Sequence, residues 1–424
     1  MRIAILTYGT RGDVQPYIAL GKGLARVGHR VRLAAPAQFA ELAVASGLEF
    51  CGLAGNPATL AQQLVDHAGT NRMSAIRTIW AHALPIAGQI LGDVHEACED
   101  ADLIVHSFLL TLAGHLEARD RGLPDVSTLM FPVFVPTTAF ASPASPWRLP
   151  ARGRLLGRVN WLTHWMFGRV FWYTSRAAYG WFRNRTAETL PPLGSWPFSD
   201  RDSPAMPVLF GFSPTVIPRP HDWPAHAHVT GYWFLEEDEC WTPPSKLADF
   251  LADGPRPVCV GFGSVRTQER ELLWRTVLEA LDLSGQRAVL LTGWSGHDSG
   301  SLPSGVLALE AVPHDWLLPR MAAVVHHGGA GTTAAALRAG VPEVVVPFTN
   351  DQPFWGAVVH RLGAGPAPIP WRRLTARALA AAINTAVADE HVRGRAAELA
   401  ARIGTEDGVG EAVTLIELHA SRKR

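Results

Sequence analysis

A short apolar run that breaks into glycines leaves this chain few choices of fold. Residues 322–327, centred on Val324 and Val325, read as a buried strand, and Gly328, Gly329 and Gly331 interrupt it before an alanine-rich segment that runs to Gly340. The expected order is strand, glycine loop, helix. Glycines in such a loop let main-chain N–H groups approach a ligand closely, and the unpaired amides and dipole of a helix starting near Thr332 favour an anion. The ligand is therefore expected to carry phosphate. Gly340 stops the helix, Val341-Pro342 imposes an extended exit, and Glu343–Phe348 reads as the next buried strand, delivering Asp351 and Gln352 at its carboxyl end. Loops after parallel strands are where open α/β sheets hold ligands.

The amino-terminal stretch repeats the pattern. Arg2–Thr7 reads as a buried strand, followed by a loop with Gly9 and Gly12, a helix, and a second strand at Val31–Ala35. The loop is not GxGxxG, so a nicotinamide dinucleotide is not indicated. It carries Asp13 at the carboxyl end of the first strand, where a carboxylate beside a helix N-terminus has an ordinary explanation as a cap. Further strands at Glu49–Leu53, Leu103–Ser107, Val126–Phe131 and Val208–Phe212 alternate with helical stretches, which predicts a parallel sheet covered on both faces. A proline-rich linker is expected at 218–227, then a second βα series with strands at Pro257–Phe262, entering Gly263 and Ser264, and at Arg287–Thr292, ending at Gly293 and Trp294. The fold class expected is α/β with two Rossmann-like domains, 1–217 and 228–404, with the last segment, 405–424, belonging to the first. Trp294 suits either stacking on a nucleotide base or plugging the sheet edge.

Composition narrows the function. A chain of 424 residues with 47% apolar and 18% charged residues is globular and long enough for two cores. Lys+Arg and Asp+Glu both total 38, so no bulk field draws it to nucleic acid. Cys51, Cys98, Cys240 and Cys259 lie far apart, as expected of thiols in a reducing cytosol and not of a disulfide framework or zinc site. The chain opens directly on a strand, with nothing resembling a signal peptide. Asp200-Arg201-Asp202 matches a metal-binding DxD, but in a polar, proline-rich loop the match reads as chance, and no metal is expected.

From Val126 to Ala187 there is no Asp or Glu. Its first part, Val126–Trp147, is long enough to span a bilayer, yet Pro132, Pro136, Pro143 and Pro146 make it a loop-rich apolar surface. Met130, Phe131, Phe134, Phe140, Trp161 and Trp165 are the expected contacts of an apolar acceptor. Within 147–185, Arg158, Arg169, Arg176 and Arg183 run beside Trp161, Trp165, Trp172 and Tyr179 as two stripes. Such a helix either packs its rings on the core or acceptor site or lies in a membrane interface.

The motifs VPHDWL (312–317), HHGGAGTT (326–333), RAGVP (338–342), DQPFW (351–355) and TRGDVQP (10–16) resemble those of GT-B glycosyltransferases of family 1, nearest to the sterol glucosyltransferase and actinobacterial glycopeptide glycosyltransferase branches. The resemblance implies inverting, metal-independent sugar transfer in a cleft between the two domains, with no cofactor beyond an NDP-sugar co-substrate, UDP-glucose being preferred. It places Asp13 as general base, His327 on the α-phosphate, and the amides around Ala330, Gly331 and Thr332 on the β-phosphate, with Gly329 also on the donor side. Asp351 and Gln352 fall on the sugar hydroxyls, with Ser264, Val312, Trp294 and Gly12 completing the donor side. The acceptor implied is a sterol, steroid or polyketide, and the segment Gly408–His419 resembles the family's terminal helix that crosses back onto the first domain. Plant relatives carry a ribose-binding Glu at the position of Ala335, so UDP and TDP are not separated by that device. A TDP-deoxysugar transferase, a non-catalytic sugar-nucleotide-binding protein and a GT-B epimerase are the alternatives.

Overall fold

The computed structural model describes residues 1–57, 86–145, 154–182, 190, 196–198, 206–236, 241–263, 270–293 and 302–422. They fall into two compact units. The first takes the chain to Leu235 and again from Asp407 onward, and the second takes Glu236–Glu406.

The first unit is built on a sheet of β1 (Arg2–Leu6), β2 (Arg30–Pro36), β3 (Glu49–Leu53), β4 (Leu103–His106), β5 (Asp125–Leu129), β6 (Val208–Phe210) and β7 (Ala227–Val229). Every pairing is parallel, in the order β3-β2-β1-β4-β5-β6-β7. β1 is buried from Ile3 to Leu6, as an apolar run must be when helices cover both faces. Those helices include α1 (Arg11–Arg26), α2 (Ala40–Ala45), α3 (Thr111–Arg121) and α4 (Arg154–Phe182). The winding reverses between β1 and β4, so the loops leaving these two strands flank the crevice where such sheets take ligands.

The second unit has β8 (Val258–Gly261), β9 (Ala288–Leu291), β10 (Val306–Leu309), β11 (Ala323–His326) and β12 (Glu343–Val345) in the parallel order β10-β9-β8-β11-β12. Its helices are α5 (Ser245–Ala252), α6 (Arg270–Ser284), α7 (His314–Leu317), α8 (Ala330–Ala339), α9 (Gln352–Leu362), α10 (Ala376–Ala388) and α11 (Glu390–Ile403). Val258, Val260, Val325 and Val344 centre a core closed by Leu379 and Ile383 of α10. Here the winding reverses between β8 and β11, the strands that deliver Gly263 and His327.

The last helix, α12 (Gly408–Arg422), returns to the first unit, where Ala412, Val413, Ile416 and Ala420 join the core shared with α1. Gly23 makes that approach possible, because a Cβ there would lie 2.4 Å from Val409.

Two expectations need correction. Residues 218–227 are not the linker between the units and His228 does not open the second: the first unit continues to Leu235, and His228 and Val229 pair with Leu209 and Phe210 as the seventh strand. The stretch before it is pinned, with Asp222 accepting from the Thr137 hydroxyl at 2.7 Å and from the Thr138 amide at 2.7 Å, and Trp223 stacked on Phe210 at 4.3 Å. Three strand residues carry too little periodicity to be seen behind three prolines. The aromatic stripe of α4 also splits: Trp172 and Tyr179 are buried at 1% and 3% exposure, whereas Trp161 and Trp165 are 42% and 43% exposed. His164 docks the same helix through a 3.1 Å bond between Nε2 and the Phe140 carbonyl, and burial pushes its pKa down to about 4.

Candidate active site

At the carboxyl end of β11 the chain turns through Gly328 (φ +86°), where a Cβ would meet Val345 at 2.7 Å and the Gln352 carbonyl at 2.9 Å. That close approach requires glycine. The turn is locked from beneath by His326, which is fully buried. Its Nδ1 accepts from the Gly328 amide (3.2 Å), so Nε2 carries the proton and donates to Glu343 at 2.8 Å. Burial holds the His326 pKa at about 3 and pushes the Glu343 carboxyl well above the ordinary range. Glu343 carries no mark of this role in the sequence, because an acid that opens a buried strand shows its partner only once the neighbouring strand is known.

His327 follows with its ring against two glycines: a Cβ on Gly263 would lie 3.1 Å from its Cε1, and one on Gly329 2.5 Å from its Nε2. The buried Nδ1 has no hydrogen-bond partner among the described residues. An orphaned N–H there costs more than a bare lone pair, so the proton belongs on Nε2, which faces the start of α8. Burial, with His326 and His314 nearby, brings the His327 pKa down to about 3, which favours the neutral ring as an N–H donor. Gly329 is the N-cap of α8 and supplies no side-chain acceptor. The first intrahelical bond runs from Thr333 to Gly329, which leaves the amides of Ala330, Gly331 and Thr332 aimed out of the helix beside the His327 ring. A neutral donor and an uncapped helix N-terminus together suit a phosphate.

Asp351 and Gln352 start α9 at the end of β12, after Asn350 in the left-handed region (φ +56°). Asp351 Oδ2 accepts from Trp355 Nε1 (3.0 Å). Gln352 Oε1 accepts from the amides of Phe348 (2.8 Å) and Thr349 (3.1 Å), so this carboxamide meets a ligand through its NH2 alone. The Val312 side chain is buried among Leu317, Leu318 and Val341, so only its main chain is left to contact a base. Ser264 and Trp294, like Asp200 and Asp202, lie outside the described residues. A surface cavity of about 630 Å³ touching Arg256, Met321, Pro342 and Arg393 sits at the amino ends of β8, β11 and β12, away from these loops.

In the first unit, Asp13 stands at the third position of α1 and does cap it. Its Oδ2 accepts from the Thr10 amide (2.8 Å) and hydroxyl (3.1 Å), the reciprocal box that Thr10 and Asp13 spell at three-residue spacing. The Asp13 carbonyl is held by the Thr7 hydroxyl at 2.7 Å. These bonds leave Oδ1 without a donor among the described residues. The residue is exposed by area, yet the protein crowded around it desolvates the carboxyl enough to raise its pKa despite the lowering effect of Thr10. Cap and base are compatible roles, since one oxygen anchors the group that the other presents. Gly12 leaves open space beside it.

Gly9 sets this geometry, and sequence reading gave it no role. At φ +153° its absent Cβ would lie 2.3 Å from Asp13 Oδ2. Gly9→Ala is expected to displace the carboxylate by about an ångström and lower kcat about 10²-fold or more with little change in donor affinity. Steady-state kinetics with a nucleotide-binding titration checks this; wild-type kcat would show that the carboxylate's placement does not matter.

The six expected acceptor contacts do not gather in one place. Phe131 and Phe134 join Phe108, Phe167 and Phe171 in a ring cluster whose closest centroids are 4.9–5.3 Å apart, with Phe108, just after β4, at its centre. Phe134 is 1% exposed and is a core residue, turned inward by its left-handed backbone (φ +67°). Met130 packs beneath Gly211, Phe140 packs on His164, and Trp161 and Trp165 face outward on α4. Phe108 follows β4 and Phe131 follows β5, and both are half-buried.

Residues 276–417 match the family described as erythromycin biosynthesis protein CIII-like, C-terminal domain, and residues 3–92 match the glycosyltransferase family 28 N-terminal domain. The chain is 39% identical over 422 residues to an O-mycaminosyltylonolide 6-deoxyallosyltransferase of Streptomyces fradiae, covering 98% of this chain and 97% of that one. It is 37% identical over 435 residues to a sterol 3-beta-glucosyltransferase of Emericella nidulans, covering 98% of this chain and 30% of that longer protein. The crystal structure of a glycotransferase of kitacinnamycin shares the fold, with a TM-score of 0.70 at 21% identity over 99% of this chain and 98% of that one. Related along its whole length to the Streptomyces enzyme, and matching glycosyltransferase domains in both of its units, the chain belongs to the GT-B family-1 glycosyltransferases, which transfer sugars from nucleotide donors.

Proposed function

We propose that this enzyme moves a hexose, with UDP-glucose as the first donor, to a hydroxyl of an apolar ring alcohol such as a sterol, steroid or polyketide. The proposal is carried by a crowded, part-anchored carboxylate in the first unit and a buried imidazole beside an uncapped helix N-terminus in the second, each at the reversal point of its own sheet. Asp13 takes the acceptor proton as that oxygen bonds to the anomeric carbon, and the bond from that carbon to the diphosphate breaks on the opposite face. His327 Nε2–H and the α8 amides take up the charge growing on the departing phosphate, so this scheme asks for no divalent cation. Single displacement turns an α-linked donor into a β-glycoside.

A second donor has a specific observation behind it. With Oε1 of Gln352 committed to the backbone, the sugar site makes one polar demand fewer, which admits a TDP-6-deoxyhexose; the Streptomyces relative is named for a 6-deoxyallosyl group. Leaving one partner of a buried hydrogen bond unpaired costs about 1–3 kcal/mol, so kcat/KM is expected to be about tenfold higher for UDP-glucose than for the deoxy donor. The reverse ratio establishes the second donor. Running both against sterols, macrolides, glycopeptide aglycones and simple sugars tests the acceptor class, and turnover of the simple sugars alone would contradict it.

A further inference from the structure

We infer that the outer face of α4 is a docking surface for an anionic lipid bilayer. Among the described residues, eight of the fourteen large hydrophobic side chains that are exposed lie on this one helix. Trp161 and Trp165, Leu162, Met166 and Val170, and Arg169 and Tyr173 stand four residues apart, so they share one broad face, while Asn160 and His164 point the other way into the protein; Trp172, on the edge of that face by its spacing, is covered where the helix packs against Trp196. That concentration exceeds the scattered apolar residues of an ordinary surface.

Charge identifies the occupant. Arg158 is exposed on the same face, Arg169 lies over the Trp165 and Trp196 rings at 5.9 and 5.4 Å, and Arg176 follows two turns on. The helix contains no Asp or Glu, in a chain whose acidic and basic residues balance at 38 each. A protein partner recognised by apolar contact alone has no need of a face cleared of acids. Indole and phenol rings at headgroup depth with guanidinium heads toward phosphate are what an anionic interface selects. Among the described residues no helix is long and apolar enough to cross a membrane, so α4 lies along the surface. An enzyme placed there meets apolar alcohols where they concentrate, but the docking does not depend on the catalytic scheme.

Sedimentation of the full-length chain with vesicles, without donor or acceptor, tests this. Binding is expected to vesicles of phosphatidylcholine mixed with phosphatidylglycerol, weak binding to phosphatidylcholine alone, and release by salt. Arg158→Gln should weaken binding about fivefold, the equivalent of about 1 kcal/mol per basic residue, and Leu162→Gln/Met166→Gln should weaken it further. Both variants alter exposed positions, and their melting temperatures should stay at the wild-type value; should the double variant unfold, Arg158→Gln alone decides. Equal binding to both vesicle types, no binding to either, or folded variants that bind like wild type would each overturn the inference and leave the face to a protein partner.

Discussion

Asp13→Asn is expected to lower kcat by about 10²–10⁴-fold while nucleotide affinity stays near that of the wild type. Asparagine keeps the shape and one acceptor oxygen, so the cap on α1 survives in part, but it cannot take a proton. The wild-type pH profile should carry the same signature. Desolvation raises the Asp13 pKa, so kcat/KM should fall on the acid side at a higher pH than an unperturbed aspartate would give, as the base becomes protonated. Thr10→Val removes the hydroxyl that stabilises the anion and should move that limb higher still. A profile flat through the acid range, or an asparagine variant with wild-type turnover, would remove Asp13 from the chemistry.

His327→Ala should raise the donor KM and lower kcat together, by about 10²–10³-fold in kcat. The lost N–H contacts a phosphate already in the ground state and more strongly as charge develops. Since burial holds the ring neutral, with a pKa near 3, the wild type should show no limb from this residue above pH 5 or so, and His327→Gln, which keeps an N–H donor, should recover part of the loss. An alanine variant with unaltered KM would place the phosphate elsewhere. Full activity of the wild type in EDTA is the companion expectation; loss on chelation, restored by magnesium, would instead direct attention to Asp200 and Asp202.

Long apolar runs made both sheets legible in the sequence, and Glu49–Leu53 is a strand at its expected bounds. β10 (Val306–Leu309), a half-exposed edge strand, and β7 escaped notice, the latter because three residues behind prolines show no periodicity, and the domain boundary moved with it. The glycine loop was readable because Gly328 and Gly329 answer a local backbone demand. Its support was not, since His326 meets Glu343 only once β11 and β12 lie side by side. Asp13 offered cap or base as alternatives, and the geometry makes it a cap with an oxygen to spare. The aromatic segment misled most: spacing puts Trp161 and Trp172 on related stripes, but only the packing of α4 decides that one is exposed and the other buried. Phe134 looked like an acceptor contact because no sequence signal marks a phenylalanine with a left-handed backbone.

The most direct test is the anomeric configuration of the product formed from UDP-α-glucose and an apolar alcohol that the enzyme accepts, read from the proton coupling at the new glycosidic carbon. Attack by the acceptor oxygen, deprotonated by Asp13 while the diphosphate leaves toward His327 and α8, requires a β-glycoside. An α-glycoside would contradict single displacement.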